Sequence, residues 1–137
     1  IDLVLPACVR MFTEEVGYSP VAAGGGAYAA RVRTLIAEGR SYVRIAEDPD
    51  GGGAAVVFKA ELGAVAGGVA QVQGVWVDPA RRGERLSVPG MAAVVALTRR
   101  DVAPTVSLYV NSYNAPALAA YRRVGFERVG TFSTVLF

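Results

Sequence analysis

No histidine occurs in this sequence, Cys8 is its only cysteine and Lys59 its only lysine. The missing histidine excludes His-based triads and His-ligated metal centres, and it removes the commonest general base. One cysteine forms no internal disulfide and cannot build a soft tetrahedral zinc site, so a reducing, cytoplasmic compartment and no metal are expected. Long apolar runs are missing too: nothing reaches the ~18 residues of a membrane-spanning helix, and no membrane partner is expected. The opening IDLVLPACVRMF lacks the basic start and small-residue cleavage site of a signal peptide. Neither sign of charge dominates. Fourteen basic against twelve acidic residues leave +2, too little for binding driven by nucleic-acid phosphates. A G-x-x-x-x-G-K-[ST] phosphate loop and a strand-linked G-x-G-x-x-G fingerprint are both absent. Chemistry therefore has to come from carboxylates, tyrosine, hydroxyls, backbone groups or a bound cofactor.

What is present is one domain's worth of patterned chain, 137 residues, enough to bury roughly two-thirds of its unfolded surface. Arginine carries nearly all the positive charge and Ala, Val and Gly are in excess, the bias of a GC-rich bacterial genome. Leu3, Val4, Cys8, Met11, Phe12 and Val16 recur at helical spacing, which predicts a helix over residues 2–16. A second helix is expected over 27–38, with Val32, Leu35 and Ile36 facing the core and Gly39 as its stop. Residues 41–47 alternate as a strand, and DPDGGG reads as a hairpin connection. The next strand, 55–64, sets Lys59 and Glu61 on the face opposite Phe58 and Leu62. A strand over 69–78, a helix over 86–99, a strand over 105–110, a helix over 114–124 and a final strand pair over 126–137 complete the list. The order is that of an α+β domain with a mixed sheet covered by helices. The chain opens on a helix and without methionine, so an upstream segment, up to a whole domain, is expected.

Two segments carry the chemistry. Val75-Trp76-Val77-Asp78-Pro79 is a strand ending in a turn, Ala80 to Glu84 is a basic loop containing Gly83, and a helix opens directly after it. Unpaired N–H groups and the positive end of a helix dipole, with Arg81, Arg82 and Arg85 adding full charges, suit a pyrophosphate or a phosphate. A solvated basic loop is the other account. The second segment, Leu108 to Phe126, joins a strand to a helix with Asn111 and Asn114 at the junction and Tyr121 a helix later. Tyr121 shares a helical face with Ala117, Leu118 and Val124, so a core aromatic is the alternative to a chemical role. Asn114 stands where an N-cap belongs, with Pro116 in the first turn.

Both segments resemble motifs of the GNAT superfamily, the acetyl-CoA-dependent N-acyltransferases. The first motif, P-x-x-R-G-x-G-[IL]-[GA], is matched by Pro79, Arg82, Gly83, Leu86 and the small Ser87, while Arg85 stands where the family has glycine. The second is matched by Tyr109-Val110-Asn111, Asn114, Ala120-Tyr121 and Gly125-Phe126. MFTEEVG, VFKAELGAV, QGVWV, PGMAAVV and VGTFSTVLF further resemble the C-terminal GNAT domain of two-domain proteins from GC-rich bacteria. The resemblance implies a GNAT-like mixed, mostly antiparallel sheet with splayed central strands and about four helices, its first strand lying upstream of Ile1. It also implies an N-terminal partner domain. Val75, Trp76 and Val77 would pair with the pantetheine arm, and Arg82, Gly83, Glu84, Arg85, Leu86 and Ser87 would cradle the pyrophosphate. Asn111 and Asn114 would line the same site, Asn114 on the pantetheine or acyl carbonyl. Tyr121 would face the thioester sulfur as the acid. Arg85 would either narrow the cradle or pair with a phosphate.

The expected activity is therefore transfer of acetyl from acetyl-CoA to a primary amine by direct attack. The departing thiolate, with a conjugate-acid pKa of about 8.5 if like cysteine, takes its proton from a positioned phenol. Cys8, in the first helix, gives no reason to expect a covalent intermediate. The proton acceptor is open. Glu61 reads as the ion-pair partner of Lys59, Gln71 and Gln73 share the face of Val75 and could orient a water, and Glu14 and Glu15 read as solvated surface. A non-catalytic acyl-CoA-binding or sensing module is the alternative function, and a scaffold for homodimerisation or domain pairing is a further one.

Overall fold

A computed structural model describes residues 1–22, 24–48 and 50–133. Its elements are helices α1 (Val4–Val16) and α2 (Gly26–Ala37), strands β1 (Ser41–Glu47), β2 (Ala54–Ala66) and β3 (Val69–Val77), helix α3 (Ser87–Asp101), strand β4 (Thr105–Leu108) and helix α4 (Ala115–Val124). The strands form one sheet in the order β1-β2-β3-β4. β1, β2 and β3 are an antiparallel meander, and β4 returns parallel to β3 after the α3 crossover. This is the mixed, mostly antiparallel α+β plan expected from the sequence, with two helices on each face.

Each face has its own core. Phe58, Ala60, Leu62, Ala70 and Val72 of the sheet meet Met91 and Val94 of α3, with Tyr121, Val124 and Phe126 packed against them. On the other face Val56 and Trp76 meet Val4, Ala7, Cys8 and Met11 of α1 and Val32 of α2. Burial of a side chain such as Leu62 or Met91 contributes about 1.5–3 kcal/mol each. Gly90 lets α3 lie close to the sheet, since a Cβ there would come within 2.8 Å of the Phe58 ring. Buried Thr98 donates its hydroxyl to the Tyr42 hydroxyl at 3.1 Å, which satisfies both against β1.

Three irregularities in register decide which residues face which layer. β2 carries an extra residue at Val57 against β1, since Arg44 faces Phe58 and Ile45 faces Val56. It carries another at Gly63 against β3. β3 carries its own at Gly74–Val75, since Glu61 faces Gln73 while Lys59 faces Trp76. Gly74 takes φ +61°, a left-handed value that glycine adopts without steric cost. This bulge overturns the expectation that Gln71, Gln73 and Val75 share a face. Gln73 lies on the side of Glu61, and Val75 packs with the α3/α4 layer.

Other expectations shift as well. Leu3 and Val16 are exposed because α1 begins at Val4 and turns on Cys8 and Met11. Ile36 lies at the flank of the Val32–Leu35 face and is exposed. β4 stops at Leu108. Residues 126–133 form no strand: Val129 is 98% exposed, so their alternation has no second surface to bury against. The remainder of the expected final strand pair, 134–137, lies outside the described residues.

Candidate active site

The site starts from an unequal pair of strands. β4 pairs with β3 only from Val69 opposite Thr105 to Val72 opposite Leu108. β4 then ends while β3 runs on to Val77, so among the described residues 73–77 have no ladder partner on that side. The ladder thus ends short of the carboxyl end of β3, at the place that open α/β sheets use as their ligand crevice. That place is flanked by the starts of α3 and α4, the helices that follow those two strands.

The loop from β3 to α3 begins with Asp78, whose Oδ1 accepts from Ala80 N–H at 3.0 Å and starts a 3-10 turn over Pro79–Arg81. Arg10 of α1 reaches the same carboxylate at 3.2 Å and lies 5.2 Å over the Trp76 ring. Of the three arginines expected to face phosphate, two are already engaged. Arg82 Nη2 bonds Glu14 Oε2 at 2.9 Å, and Arg81 Nε stands 2.6 Å from Glu84 Oε2 without hydrogen-bond alignment. Arg85 forms no ion pair among the described residues. It is also the one described non-glycine residue with positive φ, +57°. It thus holds a left-handed backbone shape that glycine, the residue of the family motif at this position, adopts without steric cost. Leu86 is buried and α3 begins at Ser87 with no side-chain cap, leaving the first N–H groups of the helix open to a ligand.

Across the crevice, Asn111 C=O accepts from Asn114 N–H at 3.0 Å, and Asn114 Oδ1 accepts from Ala117 N–H at 3.3 Å. Asn114 is thus the N-cap of α4, with Pro116 in its first turn. Tyr121 lies two turns further on, half-buried, edge-on to Phe126 at 5.9 Å between ring centres. Its ring packs on the same cluster as Val75 and Val77. Burial pushes its phenol above the ordinary value, so it holds its proton throughout the neutral range. Val75, Val77 and Tyr121 are therefore brought into one layer. The Trp76 side chain points to the other face, where its Nε1–H donates to Glu14 Oε1 at 3.4 Å.

Glu14, read from sequence as solvated surface, thus joins α1 to both Trp76 and Arg82. No local pattern signals a contact across more than sixty residues. On that same face a cavity of about 290 Å³ lies between α1, α2 and the sheet, and Gly74, Gln73 and Glu61 line it with Glu15, Tyr28 and Arg31. Glu61 is 3.9 Å from Lys59 Nζ, a loose pair, because the Lys59 ammonium donates to Gly74 C=O at 2.6 Å. The carboxylate accepts from Gln73 Nε2 at 3.4 Å. Gly74 belongs both to the cavity wall and to the stretch of β3 that runs on past β4. Among the described residues no group of three or more Cys, Asp or Glu is arranged to hold a metal ion. No helix among them is long and apolar enough to cross a membrane.

Solved structures share this fold. A protein of Agrobacterium tumefaciens described as an acetyltransferase superposes with a TM-score of 0.70 at 18% identity, covering 97% of this chain and 93% of its own. An acetyltransferase of Clostridium acetobutylicum solved with acetyl-CoA gives 0.65 at 13% identity, covering 98% and 90%. The fold is that of these acetyltransferases. The chain belongs to the Acetyltransferase (GNAT) family, whose model matches residues 19–126. A curated relative, the mycothiol acetyltransferase of Brachybacterium faecium, is 43% identical over 61 residues, which are 44% of this chain and 18% of that protein's length.

Proposed function

We propose that this domain transfers acetyl from acetyl-CoA to a primary amine by direct attack, with Tyr121 as the acid and Glu61 as the base. One observation carries the reading: β3 outruns β4, which leaves 73–77 free to pair with an extended ligand between two helix N-termini. The α3 N-terminus and Arg85 suit the pyrophosphate, while the backbone of Val75, Trp76 and Val77 suits the pantetheine amides. Asn111 and Asn114 border the opposite wall. The amine enters from the α1/α2 cavity, and Glu61 takes the proton its nitrogen must lose, directly or through a water. The nitrogen lone pair forms the new C–N bond, the C–S bond breaks, and Tyr121 gives its proton to the leaving sulfur. A phenol that burial keeps protonated is ready for that step at any physiological pH.

The binding-module alternative rests on Arg85, a bulky residue in a glycine's conformation inside the cradle. Calorimetry with acetyl-CoA, paired with thiol release over an amine panel headed by the acceptor of mycothiol acetyltransferases, separates the two. Binding without release favours the module, and no binding removes both. In Tyr121→Phe acetyl-CoA affinity is expected to stay within a few-fold while kcat falls about 100-fold. Unchanged kcat would remove Tyr121 as the acid.

A further inference from the structure

The only lysine of the chain is also among its most deeply buried side chains, at 1% exposure. Desolvating an ammonium is costly, and an apolar side chain of similar length would fill the space without that cost. Its contacts give the reason for its presence. Lys59 Nζ donates to Gly74 C=O at 2.6 Å, lies 3.4 Å from Met11 Sδ and stands 3.9 Å from Glu61. The short bond is therefore to the backbone of the bulge, and the carboxylate is a neighbour in charge more than in contact.

Gly74 C=O and Val75 N–H belong to one planar, trans peptide and point in opposite directions. Whatever fixes that carbonyl also fixes the N–H of Val75, which lies in the unpaired stretch of β3. Space around the bulge is closed as well, since a Cβ on Gly74 would come 2.8 Å from Glu61 Oε1 and 3.0 Å from Lys59 Nζ. We propose that Lys59 is a positioning residue for the transfer: its ammonium clamps the bulge that sets Val75 in the crevice, and places its charge beside Glu61 in the acceptor cavity. This rests on the transfer reading above. It ties the two spaces together, because one cation holds the strand that receives the thioester and stands beside the carboxylate that receives the proton.

Around this cation α1 contributes Cys8 and β1 places only Val43 opposite, while Glu15, Tyr28, Arg31 and Gln73 line the neighbouring cavity with Glu61. Glu61 remains the carboxylate closest to the ammonium.

Lys59→Met removes donor and charge, and Lys59→Gln keeps a donor but no charge. In Lys59→Met the amide resonances of Gly74, Val75 and Trp76 are expected to shift in the ligand-free protein, with kcat about 10–100-fold lower. Lys59→Gln, which keeps a donor for Gly74 C=O, is expected to retain most of kcat and to leave those resonances nearer their wild-type positions. Adding Glu61→Gln to Lys59→Met is expected to cost less than the two single changes combined. Unmoved bulge resonances in Lys59→Met, or a folded Lys59→Gln that loses as much kcat as Lys59→Met, overturns the inference. Wild-type protein that releases no thiol with any amine overturns the transfer reading instead, and the resonance test still reads the clamp.

Discussion

Arg85 carries the sharpest conflict between local chemistry and position. An L-residue in the left-handed region is less stable than glycine by about 1–2 kcal/mol, and nothing among the described residues ties its guanidinium down. Arg85→Gly relieves that strain and gives back part of it to the freer unfolded chain. The variant is therefore expected to be more stable by about 1 kcal/mol, a Tm increase of about 4 °C. It also removes the one loop arginine not already bound to a carboxylate, since Arg81 and Arg82 are held by Glu84 and Glu14. Acetyl-CoA affinity is expected to fall about 5–20-fold, with a shallower salt dependence. Thermal denaturation with calorimetry at two ionic strengths checks both. Tighter binding in the glycine variant would mean that Arg85 obstructs the cradle.

Among the elements, α3 lies against the sheet at Gly90, where no side chain stands between helix and strand. A methyl there would come within 2.8 Å of the buried Phe58 ring, so Gly90→Ala is expected to destabilise the fold by about 1–3 kcal/mol despite the higher helix propensity of alanine. Urea unfolding reads the sign directly, and a stabilised variant would show that Phe58 yields easily. Much at this scale was legible in advance. β1 was read at its observed ends because strict alternation is bounded by Gly39 and by DPDGGG. The helices were read to within two residues, and Asn114 was read as the N-cap it is. The crevice follows from the order of elements and from the resemblance of 79–87 and 108–126 to family motifs. What was not legible depends on register. An alternating pattern cannot show that Val57, Gly63 and Gly74–Val75 each add a residue on one strand, yet those irregularities send Val75 and Gln73 to opposite faces. The role of Glu14 is hidden because its contacts join elements distant in sequence, and the bond from Lys59 to the Gly74 carbonyl is hidden because it depends on the bulge, while the Lys59–Glu61 pair read from the sequence is present.

Over the whole molecule, the sheet separates two layers that each bury a phenol: Tyr28 with Cys8 on the α1/α2 side, and Tyr121 on the α3/α4 side. Burial pushes Tyr28 up from 10.0 to about 12, and raises Cys8 and Tyr121 as well. In each case the folded state holds its proton to higher pH than the unfolded chain does. Stability from these groups is therefore fully present below their ordinary values and is lost as pH rises through the folded ones. The window opens near pH 9, the unfolded value for Cys8, and extends to about 12 for Tyr28. Tyr28 also donates its hydroxyl to Cys8 C=O at 3.0 Å. Tyr28→Phe is accordingly expected to be less stable than wild type near neutrality, by about 1 kcal/mol. Its stability should then fall less steeply from pH 10 upward, so that the two curves converge. Tyr121→Phe should flatten the same fall through the opposite layer, with no loss of the Cys8 bond. Urea midpoints measured between neutrality and pH 12 test the argument. A wild-type curve that stays level across that window, or a Tyr28→Phe curve parallel to it throughout, would show that the phenols do not couple proton release to opening of the two layers.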